Sequence, residues 1–199
     1  MNNYILIGDS ITYGIGDYNN NGWASMFKNY ILSKDDTKEC SNYVHIIGFP
    51  GATSKTILNR ISYIYNAFQT DDFKNTIILS IGVNDTQEFN GSNRVSFEEY
   101  KANIGKIINY ILNNNIDLIV LGLTRIESNE KFYWKPNKYY NNEVIIEYDR
   151  FLKDYCNSKN IKYISMSDVL ESSDYIDGLH PNNNGHNKIY NRLIESINL

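Results

Sequence analysis

A serine hydroxyl is a poor nucleophile until a base takes its proton, and the base works best when a carboxylate holds its tautomer. The chain carries all of these side chains in short polar segments. Ser10 sits in Gly8-Asp9-Ser10-Ile11-Thr12, directly after an apolar run. Asp177 and His180 share Asp177-Gly178-Leu179-His180-Pro181, far along the chain. His180 can accept the Ser10 proton near neutral pH, and Asp177 can take the ring's other N–H. Charge that develops on a carbonyl oxygen during attack needs hydrogen-bond donors. The side-chain amide of Asn84, in Gly82-Val83-Asn84-Asp85, is one candidate. The backbone N–H groups of Gly51 and Ser10 are others.

These residues can meet only if the fold brings them together. Apolar runs at 4–7, 43–48, 76–81, 117–123 and 161–165 read as strands. Helical spacing fills the gaps. Trp23, Met26, Phe27, Tyr30 and Ile31 form a first apolar stripe. Ser54 is placed as the N-cap of a helix bearing Ile57, Leu58, Ile61, Ile64, Tyr65 and Phe68. Ser96-Phe97-Glu98-Glu99 reads as a capping box, with Val95 and Tyr100 as its staple. Two later stripes run from Val144 to Tyr155 and from His186 to Ile197. Strand and helix alternate throughout, which predicts one α/β domain over 1–199 with a parallel sheet covered on both faces. In such a sheet the carboxyl ends of the strands share one rim, where ligands bind. Ser10, Gly51 and Asn84 each follow a strand, and Asp177 and His180 follow the fifth.

Other polar residues have plainer readings. Asp9 and Asp85 read as supports for their turns. His45 lies inside a strand, and His186 lies on the apolar stripe of the last helix, so both read as packed residues. Asp177 and His180 could instead ligate a metal, but no third ligand stands at a useful spacing. Residues 126–140 hold Lys131-Phe132-Tyr133-Trp134-Lys135-Pro136 and Tyr139-Tyr140 without a clean period, and read as a long loop. Trp134 and Tyr133 keep two readings there, substrate contact or cover for a sheet edge.

The motifs together resemble the SGNH (GDSL-type) hydrolases. Gly8-Asp9-Ser10-Ile11-Thr12 is similar to the first block of that family, with Ser10 as nucleophile. Gly51 is similar to the oxyanion glycine of the second block, and Gly82-Val83-Asn84-Asp85 to the third, with Asn84 as donor. Asp177-Gly178-Leu179-His180-Pro181 resembles the closing block, with Asp177 and His180 completing the triad. The blocks stand in family order along the whole chain. The resemblance implies a flavodoxin-like three-layer α/β/α sandwich of about five parallel strands. It also implies hydrolysis of carboxylic esters or thioesters without metal or cofactor. Substrates left open are a short-chain ester, an O-acetylated sugar, a lysophospholipid or an acyl thioester; a catalytically silent binding module is the rival from another class. The chain departs from many relatives after the fourth strand, where it reads Leu123-Thr124-Arg125-Ile126 rather than proline-rich sequence.

Composition is compatible with this. The chain has 199 residues, 42% hydrophobic and 21% charged, enough for a full core. A net charge of -4 argues against a nucleic-acid partner. No apolar stretch is long enough to span a membrane. No basic-then-apolar leader precedes the first strand, so a cytoplasmic location is expected, although a processed secreted form would read the same. Cys40 and Cys156 fit no metal spacing and read as separate reduced thiols. Nothing in the sequence sets the oligomeric state.

Overall fold

Residues 4–7 show how the layers arise. Side chains alternate across a strand, so Tyr4 and Leu6 enter one apolar cluster and Ile5 and Ile7 the other. All of them are buried. A strand covered on both faces has no polar side, which is why its sequence is an unbroken apolar run.

The computed structural model describes residues 1–35, 41–128 and 131–197. Cys40 lies outside them. In chain order, β1 (Asn2–Gly8) leads into a single turn of helix, α1 (Ser10–Tyr13), then α2 (Gly22–Leu32) and β2 (Asn42–Gly48). Next come α3 (Ser54–Leu58), α4 (Ile61–Phe68), β3 (Lys74–Ser80), β4 (Glu88–Phe89), β5 (Ser92–Asn93) and α5 (Phe97–Asn113). Then follow β6 (Asp117–Leu121), β7 (Phe132–Lys135), β8 (Lys138–Tyr140), α6 (Asn142–Ser158), β9 (Lys162–Ile164) and α7 (Asn183–Ile197). The central sheet has the order β2-β1-β3-β6-β9, and every neighbouring pair is parallel. This is the flavodoxin-like order, whose topological switch point lies beside β1. Helices α3 to α6 cover one face, and α1, α2 and α7 the other. No helix of the described residues is long and apolar enough to cross a membrane.

The structure corrects several sequence expectations. Thr53, not Ser54, caps α3, in a box with Thr56. The single helix expected after Ser54 is two, parted where Arg60 leaves helical geometry (φ -125°). At α5, Ser96 accepts from the Glu99 N–H at 3.3 Å, but the Glu99 carboxylate turns to Lys55 at 3.0 Å instead of closing the box. The largest difference is a second sheet. β4 and β5, and β7 and β8, form antiparallel pairs that join in the order β5-β4-β8-β7. The stretch 126–140 is therefore mostly a β-ribbon, with Asn137 in the left-handed region (φ 58°) at its turn. Turn residues were the sequence signal for this sheet, Pro136-Asn137 in one hairpin and Asn90-Gly91 in the other. Asn90-Gly91, both at positive φ, is the pair favoured by two-residue hairpin turns.

His186 is also more than packing. It is fully buried; its Nδ1 accepts from the Trp23 N–H at 3.3 Å, so Nε2 carries the proton and donates to the Ile15 carbonyl at 2.9 Å. Burial lowers its pKa, consistent with this neutral ring. The ring fastens the segment between α1 and α2 to α7. Cys156 is buried as expected, and burial pushes its thiol up to about 12.

Gly8 closes β1 where the chain must fold back tightly. A Cβ there would overlap Thr12 Oγ1 and the Ser80 carbonyl. Gly8→Ala is expected to cost about 1–3 kcal/mol of stability, as overpacking in a tight site does. Urea unfolding checks this, and wild-type stability in the variant would show that the contact relaxes freely.

Candidate active site

β1 delivers Ser10 to the rim. Asp9 caps α1, its Oδ1 accepting from the Ile11 N–H at 2.9 Å, so Ser10 begins a helical turn above the sheet. Asp177 and His180 arrive from the loop after β9. There Asp177 Oδ1 accepts from the N–H groups of Leu179, at 3.1 Å, and His180, at 2.8 Å. Its Oδ2 lies 2.7 Å from His180 Nδ1. A carboxylate there takes the Nδ1 proton, which leaves His180 Nε2 as an acceptor 3.0 Å from Ser10 Oγ. The three side chains thus form one hydrogen-bonded line across 170 residues of sequence. Burial works to raise the Asp177 pKa, but the His180 ring and the two N–H groups outweigh it and hold the acid down to about 2.

The other strand ends converge beside Ser10. Asn84 is buried after β3, and its Nδ2 donates to Asp9 Oδ2 at 3.1 Å, which leaves one amide hydrogen uncommitted. Its Oδ1 accepts from the Tyr140 hydroxyl at 3.3 Å, and that hydroxyl accepts from Gln87 Nε2 at 2.7 Å. The Gln87–Tyr140–Asn84–Asp9 chain settles which way the Asn84 amide faces. Gly51 follows β2 with φ 76°, and its Cβ position is open, with no atom within 4 Å.

Ser54 and Asp85 tie these two strand ends together. The Ser54 N–H donates to both Asp85 oxygens, at 3.0 and 2.9 Å, and the Ser54 hydroxyl donates to Oδ1 in a short bond. Asn103 Nδ2 completes the set at 3.0 Å from Ser54 Oγ. Two buried carboxyls therefore sit next to Ser10 and Asn84. Burial raises Asp9 to about 6, against the bonds from Ile11 and Asn84. Burial likewise raises Asp85 to about 7, against the bonds from Ser54.

An open cleft of about 690 Å³ contains Ser10, Gly51, Asn84, Asp177 and His180. Trp134 lines it, with its ring edge-on to His180 at 6.0 Å and to Tyr140 at 6.2 Å. Tyr133, its neighbour on β7, does not line the cleft. It is exposed, with its ring 5.5 Å from that of Tyr139. Period-two alternation separates the two, which a loop reading could not anticipate. Sequence reasoning also missed Gln87, Arg94, Lys135 and Lys138, all in the lining. The advance signal for Gln87 and Arg94 was the hairpin turn at Asn90-Gly91, and for Lys135 and Lys138 the turn residues Pro136-Asn137 between them.

Residues 6–188 match the GDSL-like Lipase/Acylhydrolase family. The chain belongs to that family. A multidomain esterase from Ruminococcus flavefaciens is 26% identical over 223 residues, covering 96% of this chain and 28% of that protein. The chain thus spans little more than a quarter of this relative. Among solved structures, an acetylxylan esterase from Geobacillus stearothermophilus has a TM-score of 0.77 at 17% identity, covering 98% of this chain and 94% of that one. The lipase/acylhydrolase from Enterococcus faecalis has a TM-score of 0.75 at 18% identity, covering 99% and 95%. A member of the lipolytic G-D-S-L family from Veillonella parvula has a TM-score of 0.75 at 20% identity, covering 100% and 99%. At these identities the three structures speak for a shared α/β fold.

The raised Asp85 pKa of this family member has a consequence for stability. The folded chain keeps a proton on Asp85 that the unfolded chain releases near an ordinary aspartate pKa of about 4. Its contribution to stability is complete below about pH 4 and is lost as pH rises through about 7. The stability of the wild type minus that of Asp85→Asn should therefore decline across this window in urea unfolding. A difference independent of pH would show that the carboxyl is not held protonated.

Proposed function

We propose that this family member hydrolyses carboxylic esters through a serine acyl-enzyme, with small acyl groups such as acetyl on a sugar or other small alcohol as its substrates. The observation that carries this reading is the line from Asp177 through His180 to Ser10, with contacts of 2.7 and 3.0 Å. In this reading Ser10 Oγ attacks the ester carbonyl carbon as its proton passes to His180 Nε2. Asp177 holds the other ring N–H and stabilises the imidazolium that forms. The carbonyl oxygen becomes an anion, received by the free amide hydrogen of Asn84 and the N–H groups of Gly51 and Ser10. Collapse breaks the bond to the alcohol, which leaves with the His180 proton. Water then attacks the acyl-serine, with His180 taking its proton; the bond from the acyl carbon to Ser10 Oγ breaks, His180 returns the proton to Ser10 Oγ, and the carboxylic acid departs.

The cleft supports small acyl groups over long chains. It is open, and its lining mixes Tyr18 and Trp134 with Gln87, Arg94 and lysines. Aromatic faces of this kind pack well against sugar rings and small acyl groups. The acetylxylan esterase name of one structural relative agrees with this substrate class.

Ser10→Ala and His180→Ala are each expected to lose on the order of ~10⁶ in turnover on acetyl esters, and the double variant little more, because such residues act as a unit. Appreciable turnover in Ser10→Ala would end the covalent mechanism. A panel of acetyl, long-acyl and thioester substrates tests the substrate class, and preference for long chains or thioesters would overturn it.

Asn84→Ala should lower kcat about 10²–10³-fold with little change in KM, since the charge it meets appears only in the transition state. Tyr140→Phe keeps the ring but removes the hydrogen bond that orients Asn84. Its kcat should fall about twofold to tenfold, in line with one net hydrogen bond. Near-wild-type kcat in folded Asn84→Ala would make Asn84 a turn residue only.

A further inference from the structure

The cleft has a charge opposite to that of the chain around it. The protein carries a net charge of -4, yet Arg94, Lys135 and Lys138 all line the cleft that contains Ser10. The acid in that lining is Asp177, and its carboxylate is occupied by His180 and two backbone N–H groups. Several lysines elsewhere meet carboxylates: Lys131, next to the same ribbon, meets Glu88 at 2.7 Å, Lys55 meets Glu99 and Lys74 meets Asp117. Among the described residues, Arg94, Lys135 and Lys138 have no such partner.

The cations also reach the cleft from different segments, Arg94 against Gly51 and Lys135 against Trp134. Arg94 Nη2 donates to the Gly51 carbonyl at 3.1 Å, which holds the guanidinium at the β2 side and leaves its other donors available. Lys135 Nζ lies 4.1 Å from the centre of the Trp134 ring, and that ring lies against His180. Lys138 follows one turn later on β8, in register with Phe89. A guanidinium offers a fork that matches a carboxylate, sulfate or phosphate, and ammonium groups add charge without fixed geometry. A cleft of one sign concentrates ligands of the other.

We propose that the ester substrate carries an anionic group (a carboxylate, sulfate or phosphate) beside the scissile bond, read by Arg94, Lys135 and Lys138. This rests on the ester-hydrolase reading of the same site and adds the charge of its substrate. The anion sits on the alcohol or on the acyl part, and the test separates these. The oxyanion of any ester feels the same cations, so a neutral ester serves as the reference for a ratio.

The test compares kcat/KM for the neutral 4-acetoxybenzamide, for 4-acetoxybenzoate with its charge on the alcohol, and for the hemisuccinate ester of 4-hydroxybenzamide with its charge on the acyl part. The anionic-to-neutral ratio should fall about twofold to fivefold in each of Arg94→Gln, Lys135→Gln and Lys138→Gln, the range of exposed ion pairs. It should fall about tenfold or more in the triple variant, for one anionic ester or both. Added salt should lower the wild-type ratio, because screening removes a local attraction. Long-range repulsion from a net charge of -4 alone would instead make the ratio rise with salt. A ratio that the triple variant leaves unchanged, or one that rises with salt, while the neutral ester is still cleaved, overturns the anionic class alone. No turnover of any of the three esters, with no labelling of Ser10 by a fluorophosphonate, overturns the hydrolase reading and this proposal together.

Discussion

The reactive end of the sheet hangs on two carboxyl groups that have been taken out of water. Asp9 and Asp85 are buried, and burial raises both pKa values. Each stands beside a residue with a proposed part in the chemistry, Asp9 before Ser10 and Asp85 after Asn84. Asp9 gathers the Ile11 N–H and the Asn84 amide, which joins the β1 end to the β3 end. Asp85 gathers Ser54, which joins the β3 end to the segment that follows Gly51. Burying a carboxyl costs stability unless hydrogen bonds replace its lost hydration. Here those bonds run between different strand ends, so the cost is exchanged for fixed positions of Ser10, Gly51 and Asn84. Gly8 is part of the same constraint, since only a bare backbone lets the turn close down on Thr12 and Ser80.

The parallel sheet was legible because its strands are buried on both faces. Residues such as Ile77, Ile78 and Leu79 have no solvent side, and they announce themselves as apolar runs. The second sheet was not legible for the converse reason. Its strands are two to four residues long, too short for alternation to show. β4 and β8 pair across about fifty residues of chain, with α5 and β6 in between. The bulge between Tyr133 and Lys135 breaks what pattern remained. Lysines and exposed aromatics then make the ribbon look like a polar loop.

A similar line divides the site. Ser10, Asn84, Asp177 and His180 could be picked out because each stands in a short polar motif that follows a strand, and His180 is one of only three histidines. Tyr140 and Gln87 could not, because a phenol and an amide acquire their roles only from neighbours brought by the tertiary fold. His186 lies between these cases. Its place on an apolar stripe predicts a packed residue, and it is fully buried, with both ring nitrogens bonded to backbone that the helix never meets in sequence. Burial was the part the stripe could reveal; the hydrogen-bond partners were not.

The ribbon also couples two properties that are often discussed apart. Trp134 on β7 lies against His180, and Tyr140 on β8 bonds to Asn84. Phe132, on the same strand as Trp134, packs onto Gly178, which at φ 79° has no room for a Cβ. A single small element thus touches the loop that carries His180, the His180 ring itself, and the Asn84 amide. β7 and β8 are joined by a two-residue turn, so moving one strand moves the other. A substitution that tilts the ribbon to admit a different substrate therefore also shifts Tyr140 against Asn84 and Phe132 against the Asp177–His180 loop. In the proposed mechanism, shape selection and transition-state stabilisation are therefore mechanically linked. Lys138 is less tied to that link than Lys135, whose ammonium group lies on the Trp134 ring that meets His180. In the proposed reading, substrate charge at Lys138 is thus the property that can change with least effect on the geometry of Ser10 and His180, while a change at Lys135 also reaches Trp134.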